Sequence, residues 1–153
     1  MSTSPLHLLR LVVLAAAFAT AGFTAGCHGT AYPTSTTWPL NGTVWKLVEL
    51  DGAAVAANHL PSLVFDTSAS RVSGRAGVNE FNGTFQQTEG ALTFGPLAVT
   101  KMAGSARQMQ VEQQFLAALG RVTAWRIEGN LLVLLADKQE VARLHGLPVG
   151  SPM

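Results

Sequence analysis

Cysteine occurs once in the 153 residues, at Cys27. A single thiol allows no internal disulfide, no Cys-based zinc site and no Cys-x-x-Cys redox pair. Charge is scarce as well: charged residues make up 12% of the chain, about half the usual share. Ten basic residues face nine acidic ones, and removing the first 26 residues takes away Arg10 and leaves the two signs equal. A neutral domain has no electrostatic footprint for nucleic acid, and no basic stretch reads as a membrane-surface patch. Catalytic signatures are missing too. There is no Gly-x-Ser-x-Gly, no phosphate-binding or dinucleotide-binding glycine loop, and no His-Glu-x-x-His, so hydrolase, nucleotide and zincin readings lose their usual support. His28, His59 and His145 share no metal-ligand spacing. Asp66, Glu80 and Glu128 are isolated along the chain and form a carboxylate pair only if folding assembles one. What is present is 48% hydrophobic residues, enough for a folded core and too many for a disordered chain.

The first 27 residues carry the most information about location. Leu11 to Phe23 (LVVLAAAFATAGF) is an uncharged apolar run behind a short start with one positive charge, Arg10. A transmembrane helix needs ~20 apolar residues, so this shorter run reads as the hydrophobic region of a secretory leader. Thr24-Ala25-Gly26-Cys27 follows at once and resembles the lipobox of bacterial lipoproteins, with Thr24 where the pattern prefers Leu. In that class the cysteine is diacylated, the leader is cut before it and the new amino terminus is acylated. Acyl chains contribute ~0.8 kcal/mol per buried methylene, so three of them hold a protein firmly to a bilayer. Two other readings compete: ordinary cleavage after Ala19-Thr20-Ala21, leaving a free thiol, or a buried N-terminal helix. His28 in place of Asp after the cysteine points to the outer membrane, on its periplasmic face, if the cell has one.

Residues 1–26 are thus expected to be a lipoprotein signal peptide and 27–38, rich in Thr, Ser, Pro and Gly, a tether. The tether spans at most ~40 Å when extended. Residues 39–146 are the expected folded domain, monomeric and without a cofactor, and 147–153, carrying Pro and Gly, a flexible tail.

Inside the domain the apolar period is mostly two. Thr43 to Leu50 reads as a strand closed by an Asp51-Gly52 turn, and Leu63–Asp66, Arg71–Arg75, Thr84–Gln87, Ala91–Phe94 and Leu97–Thr100 are further short runs. Arg121 to Glu128, Gly129-Asn130 and Leu131 to Ala136 form a strand, turn and strand, with Glu140 to His145 as a last strand. The arm Leu131–Ala136 is apolar on both faces and is expected to be central and covered by the helix. That helix opens with the capping-box pattern Ser105-Ala-Arg-Gln108, continues through Met109, Glu112, Phe115, Leu116 and Leu119 at helical spacing, and stops at Gly120. The fold class is α+β: a small antiparallel β-sheet or cracked β-barrel with one amphipathic α-helix.

The segment Val72–Phe85 holds Gly74, Gly77 and Gly83 together with Asn79 and Asn82, residues suited to positive φ. It reads as a bulged, tightly turned connection, either a backbone-lined ligand loop or a structural corner. Asn41-Gly-Thr43 and Asn82-Gly-Thr84 match the glycosylation sequon but read as Asn-Gly turns.

Several of these residues fall into a known arrangement. Leu40-Asn-Gly-Thr-Val-Trp45, Leu63-Val-Phe-Asp66, Val72-Ser-Gly74-x-Ala-Gly77-x-Asn79-x-Phe81-x-Gly83-x-Phe85, Thr100-Lys-Met102 and the helix after it resemble the META domain, found in the heat-shock protein HslJ and in many bacterial envelope lipoproteins. Many members carry Cys after the second of those glycines and again just after the Met; here Val78 and Gly104 stand in those places. The resemblance implies a cell-envelope domain linked to stress and antibiotic tolerance, with no established enzymatic activity. Trp45, Gly74, Gly77, Asn79, Phe81, Gly83, Thr100 and Met102 would be its structural motif.

Two classes of function stay open on the sequence. One is a membrane-tethered module that binds an envelope protein or a small hydrophobic ligand. The other is an enzyme, such as a hydrolase, with a site assembled from scattered polar residues.

Overall fold

The computed structural model describes residues 37–56 and 60–148. Cys27, the expected leader, the expected tether up to residue 36, His59 and the residues beyond 148 lie outside the described residues. Strand β1 (Thr43–Leu50) alternates as its sequence does, burying Thr43, Trp45 and Leu47 on one face. It turns back through Asp51 and Gly52, with φ of 45° and 79°, into the short β2 (Ala53–Ala54). Both turn residues need positive φ, which is why Asp-Gly occupies this place.

Next come β3 (Ser62–Asp66), β4 (Arg71–Arg75), β5 (Glu80–Gln87) and β6 (Leu92–Val99), then α1 (Ala106–Leu119), β7 (Ala124–Glu128), β8 (Leu131–Ala136) and β9 (Gln139–Pro148). All strands pair antiparallel in the order β6-β5-β4-β3-β1-β9-β8-β7, with β2 beside β1. The sheet curls until its two ends touch. Ala91 bridges to Ala124, the Leu92 N–H donates to Thr123 O at 3.1 Å, and the Trp125 N–H donates to Gly90 O at 3.2 Å. The antiparallel sheet with one helix is as expected, but with nine strands it is not small.

The concave face is filled by side chains. Trp45, Phe65, Leu63, Leu132, Leu134 and Leu144 are fully or almost fully buried there, and Phe65 meets Phe85 edge-on at 4.9 Å. Each such side chain contributes ~1.5–3 kcal/mol through burial. The helix has the anticipated capping box: Ser105 Oγ accepts from the Gln108 N–H, and Gln108 Oε1 accepts from the Ser105 N–H at 3.1 Å. It buries Glu112, Phe115, Ala118 and Leu119, with Phe115 set edge-on to Phe81 at 6.3 Å.

Several expectations are corrected. Val72–Phe85 is a tight corner between β4 and β5 with a bulge between Gly83 and Phe85 against β6, as one of its two readings had it, but most of the segment is paired strand. None of Gly74, Gly77 and Gly83 has positive φ; that conformation falls at Gly42, Gly52, Gly90 and Gly129. Asn82-Gly83 lies inside β5 and is no turn. The runs expected at Ala91–Phe94 and Leu97–Thr100 are one strand, β6. Strand β9 continues through Gly146 to Pro148 because Thr43 and Val44 supply partners for it, so residues 147 and 148 belong to the sheet. Trp38, the last expected tether residue, packs against the core and donates its N–H to Gly129 O at 3.0 Å. Met109 is exposed, and Ala118 lies on the buried face instead.

Strand β8 is next to the end of the path, and the second face of its apolar run is not covered by the helix in the way expected. Val133, on the outer face, pairs across to Arg126 and Arg143. It is fully buried, because long arginine stems cover apolar surface while their heads stay wet.

Candidate functional site

The β4–β5 turn is tied to the helix by a buried polar knot. Glu112, 6% exposed on α1, accepts from the Val78 N–H at 3.1 Å and the Asn79 N–H at 2.8 Å through Oε2. Its Oε1 accepts from Asn79 Nδ2 at 2.8 Å. Asn79 is buried too, and its amide serves both sides of the Met102 backbone: Nδ2 donates to Met102 O at 3.1 Å and Oδ1 accepts from the Met102 N–H at 2.6 Å. The Thr100 hydroxyl donates to Asn79 Oδ1 at 2.9 Å and accepts from the Glu80 N–H at 3.1 Å. A buried carboxylate needs such donors, since charge-assisted hydrogen bonds offset the loss of water.

Gly77 allows this approach. A Cβ there would stand 3.0 Å from Glu112 Cβ and 3.1 Å from Gln108 O. Gly74 and Gly83 serve close approach in the same way, against the Ser62 backbone and against Pro96 O and Leu97 respectively. Gly74 also stands in register with Leu63 and Phe81, and Leu63 with Trp45, so three motif residues share one cross-strand row.

On the opposite face of the same strands runs an open cleft of about 530 Å³. Its floor is a register row of short side chains, Val64, Ser73, Asn82 and Ala98, with Val44 at one end. Arg75 and Glu80 stand along one side as an exposed ion pair at 3.5 Å. A second cleft of about 510 Å³ lies between residues 37–40 and β7, lined by Trp38 and Trp125. The buried Trp125 Nε1 has no hydrogen-bond partner among the described residues.

A family model described as META domain matches residues 38–146. The chain belongs to the META domain family. Among solved structures it is similar to a protein from Burkholderia xenovorans determined by NMR, at 26% identity and a TM-score of 0.57, covering 71% of this chain and 83% of that one. A crystal structure of a DUF4847 family protein from Bacteroides vulgatus shares the fold at 14% identity and a TM-score of 0.51, over 69% of this chain and 93% of that one. No curated protein matches the chain.

In this META domain the motif residues do not gather at one point. Gly77, Asn79, Thr100 and Met102 meet at the knot, Trp45, Gly74 and Phe81 line the core, and Gly83 sits against β6. The acid that completes the knot, Glu112, stands outside the motif. Its signal was a charged residue on the stripe shared by Phe115 and Leu119, where a charge needs a buried partner.

The candidate acids Asp66, Glu80 and Glu128 sit on different strands, each with its own partner. Asp66 accepts from Ser68 and Ala69, Glu80 pairs with Arg75, and Glu128 pairs with Arg126 at 2.6 Å. The Ser68 hydroxyl beside Asp66, with the Ala69 N–H, holds its carboxyl below the ordinary range. Over Val133, Arg143 bonds Glu140 at 2.7 Å and Arg126 joins the same carboxylate. These two arginines, Arg143 first, hold Glu140 below its ordinary value. His145 stands within 2.7 Å of Asn130. No group of three His, Cys, Asp or Glu side chains that could hold a metal ion occurs among the described residues.

Proposed function

We propose that this META domain is a non-enzymatic binding module of the cell envelope, anchored by lipid on Cys27 and serving tolerance of envelope stress or antibiotics. The observation that carries the binding role is the cleft over Val64, Ser73, Asn82 and Ala98. Short side chains there leave a trough crossing four strands, ~15 Å long at the usual strand spacing. It offers apolar floor, a hydroxyl and a carboxamide, a composition suited to a segment of an envelope protein. The interior of the curled sheet is occupied by Trp45, Phe65 and Phe115, which favours the outer face for a partner.

In-cell photo-crosslinking tests the binding role. A photoreactive side chain at Ser73 or Asn82 is expected to trap a discrete partner, and one at Lys138, in the β8–β9 turn, is not. Equal labelling from all three positions, or none, would sink the assignment of the cleft. Detergent partitioning and intact mass test the anchor: wild type is expected in the detergent phase with acyl mass, and Cys27→Ser in the aqueous phase. A soluble, unacylated wild type would remove the anchor from the proposal.

A further inference from the structure

Among the described residues sulfur is confined to two thioethers, Met102 and Met109. They are also the large hydrophobic side chains that the surface exposes, at 50% and 37%. Methionine is ordinarily among the more buried residues. Here the backbone of Met102 is fixed from both sides by the Asn79 amide, which Glu112 fixes in turn. The polar knot therefore holds the main chain of Met102 while half of the residue faces water.

We propose that Met102 is a reversible oxidation site for a two-electron oxidant of the peroxide class, with Met109 a slower second site. The thioether sulfur attacks one peroxide oxygen. An S–O bond forms as the O–O bond breaks, sulfur gives up two electrons, and the leaving hydroxide takes the proton carried by the transferred oxygen and departs as water, leaving the sulfoxide. Two thiols reverse the step, yielding thioether, water and a disulfide. A sulfoxide inside a core disrupts packing. At Met102 the added oxygen lies on the exposed side chain, and the bonds that hold the segment run from Asn79 to backbone atoms that oxidation leaves unchanged. The oxidised domain consequently stays folded.

The test is hydrogen peroxide treatment of the purified full chain, followed by peptide mass mapping and thermal melting. Peptide by peptide, Met102 is expected to gain one oxygen ahead of Met109, at a rate within about threefold of free N-acetylmethionine amide. The melt should stay cooperative, and methionine sulfoxide reductase with dithiothreitol should remove the added mass. Met102→Leu, close to volume-conserving, should abolish uptake in the peptide that holds residue 102 and leave that of Met109 unchanged. Met109 reacting ahead of Met102, no uptake at Met102 in the folded protein, a change in Met109 uptake on Met102→Leu, or loss of the cooperative melt on oxidation would each overturn the proposal.

Discussion

Gly104 lies against Val78 so closely that a Cβ placed on the glycine would stand 3.3 Å from the valine Cβ. That separation is close to the ~3.8 Å typical across a disulfide, and these are the two positions where the sequence resemblance implies a cysteine pair. Val78→Cys with Gly104→Cys, in a Cys27→Ser background, should oxidise to an intramolecular bridge and gain ~2–4 kcal/mol. Gly104→Ala alone should destabilise, since its methyl meets Val78 Cγ2, and Val78→Ala in addition should recover part of the loss. Denaturant melts check all three. A bridge that fails to form under mild oxidation would contradict the packing of the β4–β5 turn on the approach to the helix.

The Asn79–Glu112 knot sets a second expectation. Glu112→Ala leaves three donors, the N–H groups of Val78 and Asn79 and Asn79 Nδ2, without their acceptor. Hydrogen bonds to charged groups contribute ~1.5–3 kcal/mol, so a loss of at least ~3 kcal/mol is expected. Glu112→Gln, which keeps one acceptor oxygen, should cost less. Hydrogen exchange should report the loss first at Val78 and Asn79. Unchanged stability in Glu112→Ala would show that the knot does not hold the turn.

Trp45 and Phe65, 0% and 1% exposed, test the core. Truncating either to Ala should cost ~3–5 kcal/mol. The Trp45 indole also donates to Leu40 O at 3.2 Å, so Trp45→Phe, which keeps the ring but leaves that carbonyl unpaired, should fall between wild type and Trp45→Ala. Thermal melts that place Trp45→Phe below Trp45→Ala would refute this ordering.

Asp66 and Glu140 govern part of the acid response. Both carboxyls sit below their ordinary values of 3.8 and 4.5. The stability they contribute is therefore complete above those values and is lost as pH falls through the lower folded midpoints. Side-chain NMR titration should find both midpoints depressed. Glu140→Gln should flatten the acid limb of the stability curve below about pH 4.5. Ordinary midpoints for both groups would rule out these surface contacts as the cause of acid sensitivity.

The local features were legible in the sequence because each has a local cause. Ser105 and Gln108 form their capping box within one turn, Asp51-Gly52 closes β1 onto β2, and the alternation from Thr43 to Leu47 marks the buried face. The motif from Gly74 to Met102 is also readable in the sequence, but the physical task of its glycines is not. Positive φ is a property of one residue and its neighbours, whereas the close approaches at Gly74, Gly77 and Gly83 involve β3, α1 and β6. Only the tertiary structure could decide them. The same holds for Val133, which reads as buried under a helix until pairing sets Arg126 and Arg143 on either side of it, and for β9, whose last residues gain partners from Thr43 and Val44 roughly a hundred positions earlier. Glu112 shows the limit most clearly. A lone acid on an apolar helix stripe announces that it needs donors, but Val78 and Asn79 become those donors only when the curled sheet brings the β4–β5 turn against α1.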